Sequence, residues 1–426
     1  MKKKLLAILI ISVIIATIGI ISYLAYQKSE NYLWNHTVSK YIKDELWNDI
    51  NCYDAGHALL VPMFYAFSTN DKLKIEEFHN LFERYAQYLK NTNYEYEYWN
   101  LNHMQFNFLA SNYINLCSQY GCENRVKSDL LDYLYDEAFY YCLLKREKYN
   151  TTANPQYNSL IAIERDFKLG KPTADLYQYH ITILLNLKEY SNNNGYFLSE
   201  ERKKTVEEAL KIINTIYEEG VTFIDSNKWL MNVGSFDGHN DYAYMQYNSM
   251  EENMRPSKQE NTTWDTSHFA RVPVFLQIIK RANKNDEEKV CYYDKLIKGL
   301  REQFIETVLI EPDEENPYYR TTNYMDGRNG LYRYNYTTQQ NTAYLPYQLS
   351  GTMTLGWWCF LDGEMNLIYE KIYQTFPLEE KAIATYVGPN TTRERNQYVE
   401  WPAYFENGFA ELNCLLASKL EIEKVF

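Results

Sequence analysis

From about residue 30 onward, apolar residues recur three and four positions apart along most of the chain, the spacing of one face of an α-helix. SDLLDYLYDEAFYYCLLKRE, EERKKTVEEALKIINTIYEEG, KVCYYDKLIKGLREQFIETVLI and YFENGFAELNCLLASKLEI each read as an amphipathic helix. Segment 199–220 carries its own punctuation, with Ser199 ahead of Glu200 and Glu201 and Gly220 at its close, as a helix cap and stop require. Strand-like alternation is scarce, and GVTFID is its best instance. The intervening loops NTNYEYEYWNLN, NYTTQQNTAYLPY and MEENMRPSKQENTT are long, polar and aromatic, which marks functional, ordered loops. No Pro/Ser-rich linker divides residues 30–426, so a single domain is expected there. The pattern predicts an all-α fold of about ten to twelve helices, paired through alternately short and long loops. An (α/α) toroid buries that many helices economically, with inner helices around a funnel and outer helices covering them. An α-solenoid requires a fixed period that the chain lacks.

Residues 1–29 follow a different rule. MKKK precedes 22 residues without a charge, 5–26, enough to cross a hydrocarbon core about 30 Å thick. The lysines keep the short end cytoplasmic. This predicts a short cytoplasmic end and a transmembrane signal anchor, with residues 30–426 outside the cytoplasm. The alternative is a cleaved signal peptide and a secreted protein.

Composition narrows the partners. The net charge of −13 disfavours nucleic acid, and an anionic polymer would need a locally basic lining. The chain holds 42 Tyr, 19 Phe and 8 Trp; rings with polar tips suit a groove that stacks on sugars and bonds their hydroxyls. Of the 7 cysteines, Cys117 and Cys122 in CSQYGC are near enough in sequence to suggest a local disulfide. Neither a CxxC pair nor an HExxH spacing occurs, so no metal or other cofactor is expected.

One short pattern occurs twice. YDAGHALLVPMF at 53–64 and WDTSHFARVPVF at 264–275 share Asp, His, Val, Pro and Phe in one register. This marks equivalent helix starts, with Asp54 and Asp265 as caps and each His facing the same side as its Asp. Pro62 and Pro273 then either kink a helix or mark its true first turn. The second copy is chemically richer, with Trp264, Ser267 and Arg271 beside Asp265 and His268. A third cluster, SFDGHNDYAYMQY, holds Asp237, His239, Asn240, Asp241, Tyr242 and Tyr244. Asp265, His268, Asp237 and His239 are the candidate catalytic residues. Trp264, Arg271, Asn240, Tyr242, Tyr244, Asp54 and His57 are candidate substrate-binding residues. Paired carboxylates suit glycoside hydrolysis, with Glu400 and Glu406 as further carboxylates among aromatics; structural roles as caps and core histidines are the alternative.

The segment WDTSHFARVPVFLQIIKRA resembles helix-start motifs of (α/α)-toroid carbohydrate-active proteins: polysaccharide lyases, glucuronyl C5-epimerases and related unsaturated-glycan hydrolases. The resemblance implies a glycan substrate in a funnel. In its lyase and epimerase members it implies proton abstraction beside a uronic carboxylate. That casts His268 or Tyr244 as base or acid, and Arg271 or Asn240 as partner of the carboxylate. The expectation is therefore a membrane-anchored extracytoplasmic glycoside hydrolase or polysaccharide lyase. The alternative is a non-catalytic glycan-binding or envelope-assembly protein on the same scaffold.

Overall fold

The computed structural model describes residues 29–92, 101–143, 160–171, 175–336, 340–389 and 394–426, and within them the protein is predominantly helical. The anchor expected at residues 5–26 lies outside the described residues. Among those described, no helix is long and apolar enough to cross a membrane.

Two kinds of helix alternate along the chain. Leu60–Ser68 is buried at every position. Leu101–Gln119 is buried without a break from Met104 to Cys117, Asp175–Asn194 from Tyr177 to Leu187, and Val272–Ala282 from Val272 to Ile279. In Phe409–Ala417, Glu411 alone escapes burial. These helices lie inside although they also bury polar side chains, Asn107, Asn112, Gln178 and Asn186 among them, which are held by hydrogen bonds. Between these helices run Lys72–Asn91, Glu200–Gly220, Glu287–Gln303 and Glu364–Tyr373, each with one buried stripe and one solvated face.

The buried helices pack on one another in sequence. Leu60–Ser68 and the short Cys52–Ala58 helix lie on Leu101–Gln119, which lies on Asp175–Asn194, which lies on Val272–Ala282. From there contact passes through the 3-10 turns Trp357–Phe360 and Ser350–Leu355 to Phe409–Ala417, and back to Leu60–Ser68. One continuous apolar core extends from Leu33 to Val425.

Local signals explain the helix boundaries. Ser199 accepts the Arg202 amide and caps Glu200–Gly220. GVTFID supplies the strand Val221–Phe223, antiparallel to Trp229–Met231. Two helices end earlier than their apolar periodicity predicts. The first stops at Gln303, passes through one π turn, Phe304–Val308, and becomes the strand Leu309–Ile310 paired with Arg320–Thr321. The second is split at Gly408, whose φ of 94° leaves Ala403–Glu406 and Phe409–Ala417 as separate helices. Positive φ is steric territory for glycine. The local disulfide is also corrected: Cys117 and Cys122 are free thiols.

A close contact between inner helices lies at Gly56, where an added Cβ would stand 2.7 Å from the Gln105 carbonyl oxygen. That approach seats Cys52–Ala58, and with it His57, on Leu101–Gln119. Gly56→Ala is expected to cost about 1–3 kcal/mol, as overpacking of a tight core does. Urea unfolding measures it; an unmoved midpoint would show that the two helices separate without penalty.

Candidate functional site

Both copies of the repeated pattern fold alike. A short helical turn bearing the His is followed by a new helix that begins at Leu60-Val61-Pro62 or Val272-Pro273. Each proline therefore sits in a first turn, where its missing N–H costs nothing. The copies differ at the Asp. Asp265 is the N-cap of Thr266–Phe269 and accepts the His268 amide at 3.0 Å. Asp54 lies inside Cys52–Ala58 and caps nothing; its Oδ1 is 3.5 Å from an Arg395 guanidinium nitrogen.

The two copies meet across one cavity. Its walls include Tyr53, Asp54 and His57 from the first copy, Ser267, His268 and Arg271 from the second, and Tyr332, Arg333 and Tyr344 from a later loop. Trp357, Arg395 and Trp401 complete the ring. The enclosed volume is about 160 Å³, many times what one water needs.

Arg271 joins the copies. Its Nε lies 3.2 Å from His57 Nε2, one terminal nitrogen donates to Tyr53 Oη at 3.2 Å, and the other pairs with Asp175 Oδ2 at 3.1 Å. Because the guanidinium can only donate, His57 Nε2 presents its lone pair and the ring proton sits on Nδ1, 2.8 Å from the Tyr53 carbonyl. Trp357 stacks on His57 at 5.2 Å and donates its indole N–H to the His57 carbonyl. Asp175 opens Asp175–Asn194 and Arg271 precedes Val272–Ala282. Through Arg271 the cavity thus borders the N-terminus of Val272–Ala282, whose dipole favours anions.

His268 is held from behind. Its Nδ1 is 2.8 Å from Asp265 Oδ2 and 2.9 Å from Oδ1. Asp265 is buried and also accepts the Ser267 hydroxyl at 2.5 Å and the Tyr242 hydroxyl at 3.0 Å. Burial alone pushes its carboxyl up; the adjacent His268, the Ser267 hydroxyl and the charge of Arg333 more than offset this and hold it well below the usual carboxylate range. With Nδ1 turned to Asp265, Nε2 is on the opposite edge of a ring that lines the cavity. This arrangement suits a histidine that takes a proton at Nε2.

The lining carries three guanidinium groups, Arg271, Arg333 and Arg395, and one carboxylate, Asp54. Arg333 is fixed by Asp241, at 2.8 Å from Nε to Oδ2, and lies over the Tyr336 ring at 4.3 Å. A chain of net charge −13 thus places a locally basic lining in its cavity.

The third cluster is dispersed. Asp237 accepts the backbone amides of Thr262 and Asn261 at 2.9 and 3.3 Å. His239 is exposed and its Nδ1 accepts the Asp241 amide, capping Asn240–Tyr242. Neither lines the cavity, which corrects their pairing with Asp265 and His268. Asn240 is exposed, and Tyr244 packs on Tyr334 at 4.6 Å; both are outside the lining, as are the exposed Glu400 and Glu406. Trp264 is core, edge-on to Phe236 and Phe269. Tyr242 is buried behind the lining, with its hydroxyl on Asp265. Periodicity did not single out Arg333, Arg395, Tyr332 or Tyr344. The signal available was a basic residue between aromatics, YRY at 332–334, in an acidic chain. Among the described residues no group of three or more His, Cys, Asp or Glu side chains is positioned to hold a metal ion.

Asp265 makes stability depend on pH. Its folded value lies below its unfolded value of about 3.9. The stabilisation is therefore complete above roughly pH 5 and is lost as pH falls through the folded value. The gap in unfolding free energy between the wild type and Asp265→Asn, which keeps a capping oxygen, is expected to be level near neutrality and to narrow on acidification. A gap constant to about pH 3 would show that the carboxylate gains nothing from being ionised.

No protein-family model matches this chain, and neither do any curated protein or solved structure.

Proposed function

We propose that this chain is a carbohydrate-active enzyme that cleaves an acidic glycan by β-elimination, with His268 as the base. The observation that carries the reading is the Asp265–His268 pair at a cavity lined by Arg271, Arg333 and Arg395. Elimination removes the proton beside a uronic carboxylate, so it needs a base and a cation to hold the carboxylate as negative charge spreads into it. His268 Nε2 takes that proton while Asp265 holds Nδ1–H and stabilises the imidazolium. The arginines bind the carboxylate, for which a guanidinium fork is suited. Tyr53, its oxygen held by Arg271, gives its proton to the departing sugar oxygen. Trp401 and Tyr344 offer ring faces to the sugar.

Two features weigh against hydrolysis by paired carboxylates. Asp54 is the one carboxylate in the lining and is engaged by Arg395; Asp265 is behind His268. Retaining or inverting hydrolysis needs two carboxyl groups flanking the bond.

The scaffold in this reading is an (α/α) toroid, supported by the alternation of buried and amphipathic helices and by the closed run of contacts among the buried ones. The cavity would be the base of its funnel. Residues 5–26 would anchor it, with the helical part outside the cytoplasm.

The test is incubation with neutral and uronate polysaccharides, following both new reducing ends and the ultraviolet absorbance of unsaturated uronate. Unsaturated product is expected from uronate polymers only, and His268→Ala should lower the rate about 10²–10⁴-fold, the usual worth of a general base. Reducing ends without unsaturation would replace elimination by hydrolysis. Glycan binding without either product would leave a binding protein.

A further inference from the structure

We propose that Cys117 and Cys122 form a redox-active dithiol that hydroperoxides oxidise to a disulfide, at a place remote from the cavity. The argument begins with how the Leu101–Gln119 helix ends. Gly121 adopts φ 67°, and the Cys122 amide donates back to the Cys117 carbonyl at 2.9 Å. That six-to-one bond past a left-handed glycine is the Schellman helix stop. It brings the side chains on either side of the bond together, where an apolar pair normally packs. Here both are cysteines, both free thiols, and each acts electrostatically on the other.

The surroundings sort the two sulfurs into roles. Cys117 is fully buried and its thiol is pushed up by burial. Cys122 is partly exposed. The Cys117 S–H hydrogen bond lowers its thiol to about 5, with further help from His79 against the effect of burial. His79 reaches over from Lys72–Asn91 and also holds the Tyr113 hydroxyl at 2.7 Å, and that tyrosine in turn contacts Cys117. Lys72 and Arg125 are the charged neighbours. An accessible thiolate beside a buried second thiol is the arrangement of an attacking and a resolving cysteine.

The chemistry balances with a hydroperoxide as oxidant. The Cys122 thiolate attacks one peroxide oxygen; the O–O bond breaks, an S–O bond forms and an alcohol or water leaves. Cys117 sulfur then attacks the sulfenic sulfur. The S–S bond forms and the hydroxide leaves as water with the Cys117 proton. Two thiols lose two electrons and the peroxide gains them.

The test uses the full chain, reduced and then exposed to hydrogen peroxide. Peptide mapping without reductant is expected to show a Cys117–Cys122 link that low-millimolar dithiothreitol reverses in the folded protein. Before oxidation, Cys122 should alkylate with iodoacetamide at pH 6 about tenfold faster than the exposed Cys291, the thiolate advantage reduced by the lower nucleophilicity of a low-pKa thiol. Cys117→Ser should stop at a dimedone-reactive sulfenic acid on Cys122, and Cys122→Ser should give neither product. Oxidation that leaves both thiols open to alkylation would overturn the proposal. So would a link that resists reductant until the protein unfolds, since that is a structural cross-link, or a Cys122 no faster than Cys291.

Discussion

One buried guanidinium ties the site together. Arg271 reaches His57 on the first repeated segment, Asp175 at the head of a buried helix and the Tyr53 hydroxyl, while its own backbone opens Val272–Ala282. Removing a buried cation from water is costly, and its partners must repay that cost with good geometry. The arrangement is therefore close to all-or-none. Loss of Arg271 would remove from Asp175, His57 and Tyr53 the one group that contacts all three, so these segments would lose their common register. That coupling makes the recurrence of Asp-x-x-His and Val-Pro intelligible: the segments are two walls of one cavity, joined through a side chain present in only one of them.

The helical character, the caps and the repeat were legible because each rests on local rules: apolar spacing, a Ser before Glu-Glu, a Pro in a first turn. The site was half legible. Asp265, His268, His57 and Arg271 stand out within short segments. Arg333 and Arg395 come from loops, and what brings them to the cavity is the packing of Tyr332 against Tyr344 and the pairing with Asp241 and Asp54, none of which has a sequence period. The cluster around Asp237 misled for the opposite reason. Asp and His in a polar turn are consumed by nearby backbone amides, which is their commonest employment. Proximity in sequence brought those groups together, but outside the cavity lining.

Electrostatics separates the surface from the cavity. Acidic residues predominate over the whole chain, yet the arginine heads in the lining are anchored by carboxylates such as Asp175 and Asp241, which stand outside that lining. The overall charge repels a polyanion at long range, where salt screens it within about 10 Å, whereas the lining acts at contact distance. Overall charge is therefore a poor guide to the charge of this cavity.

The pairing of distant segments has a consequence for biogenesis. Asp54 meets Arg395, the His57 carbonyl meets Trp357, and Glu30 meets Lys419. Contacts of such sequence separation form slowly, and the three named here wait for residues 395, 357 and 419 in turn. Through much of synthesis the inner helices must wait without their final neighbours, with the hazard of association that exposed apolar surface brings. A nascent chain of this design keeps its inner helices exposed until those distant partners have been made.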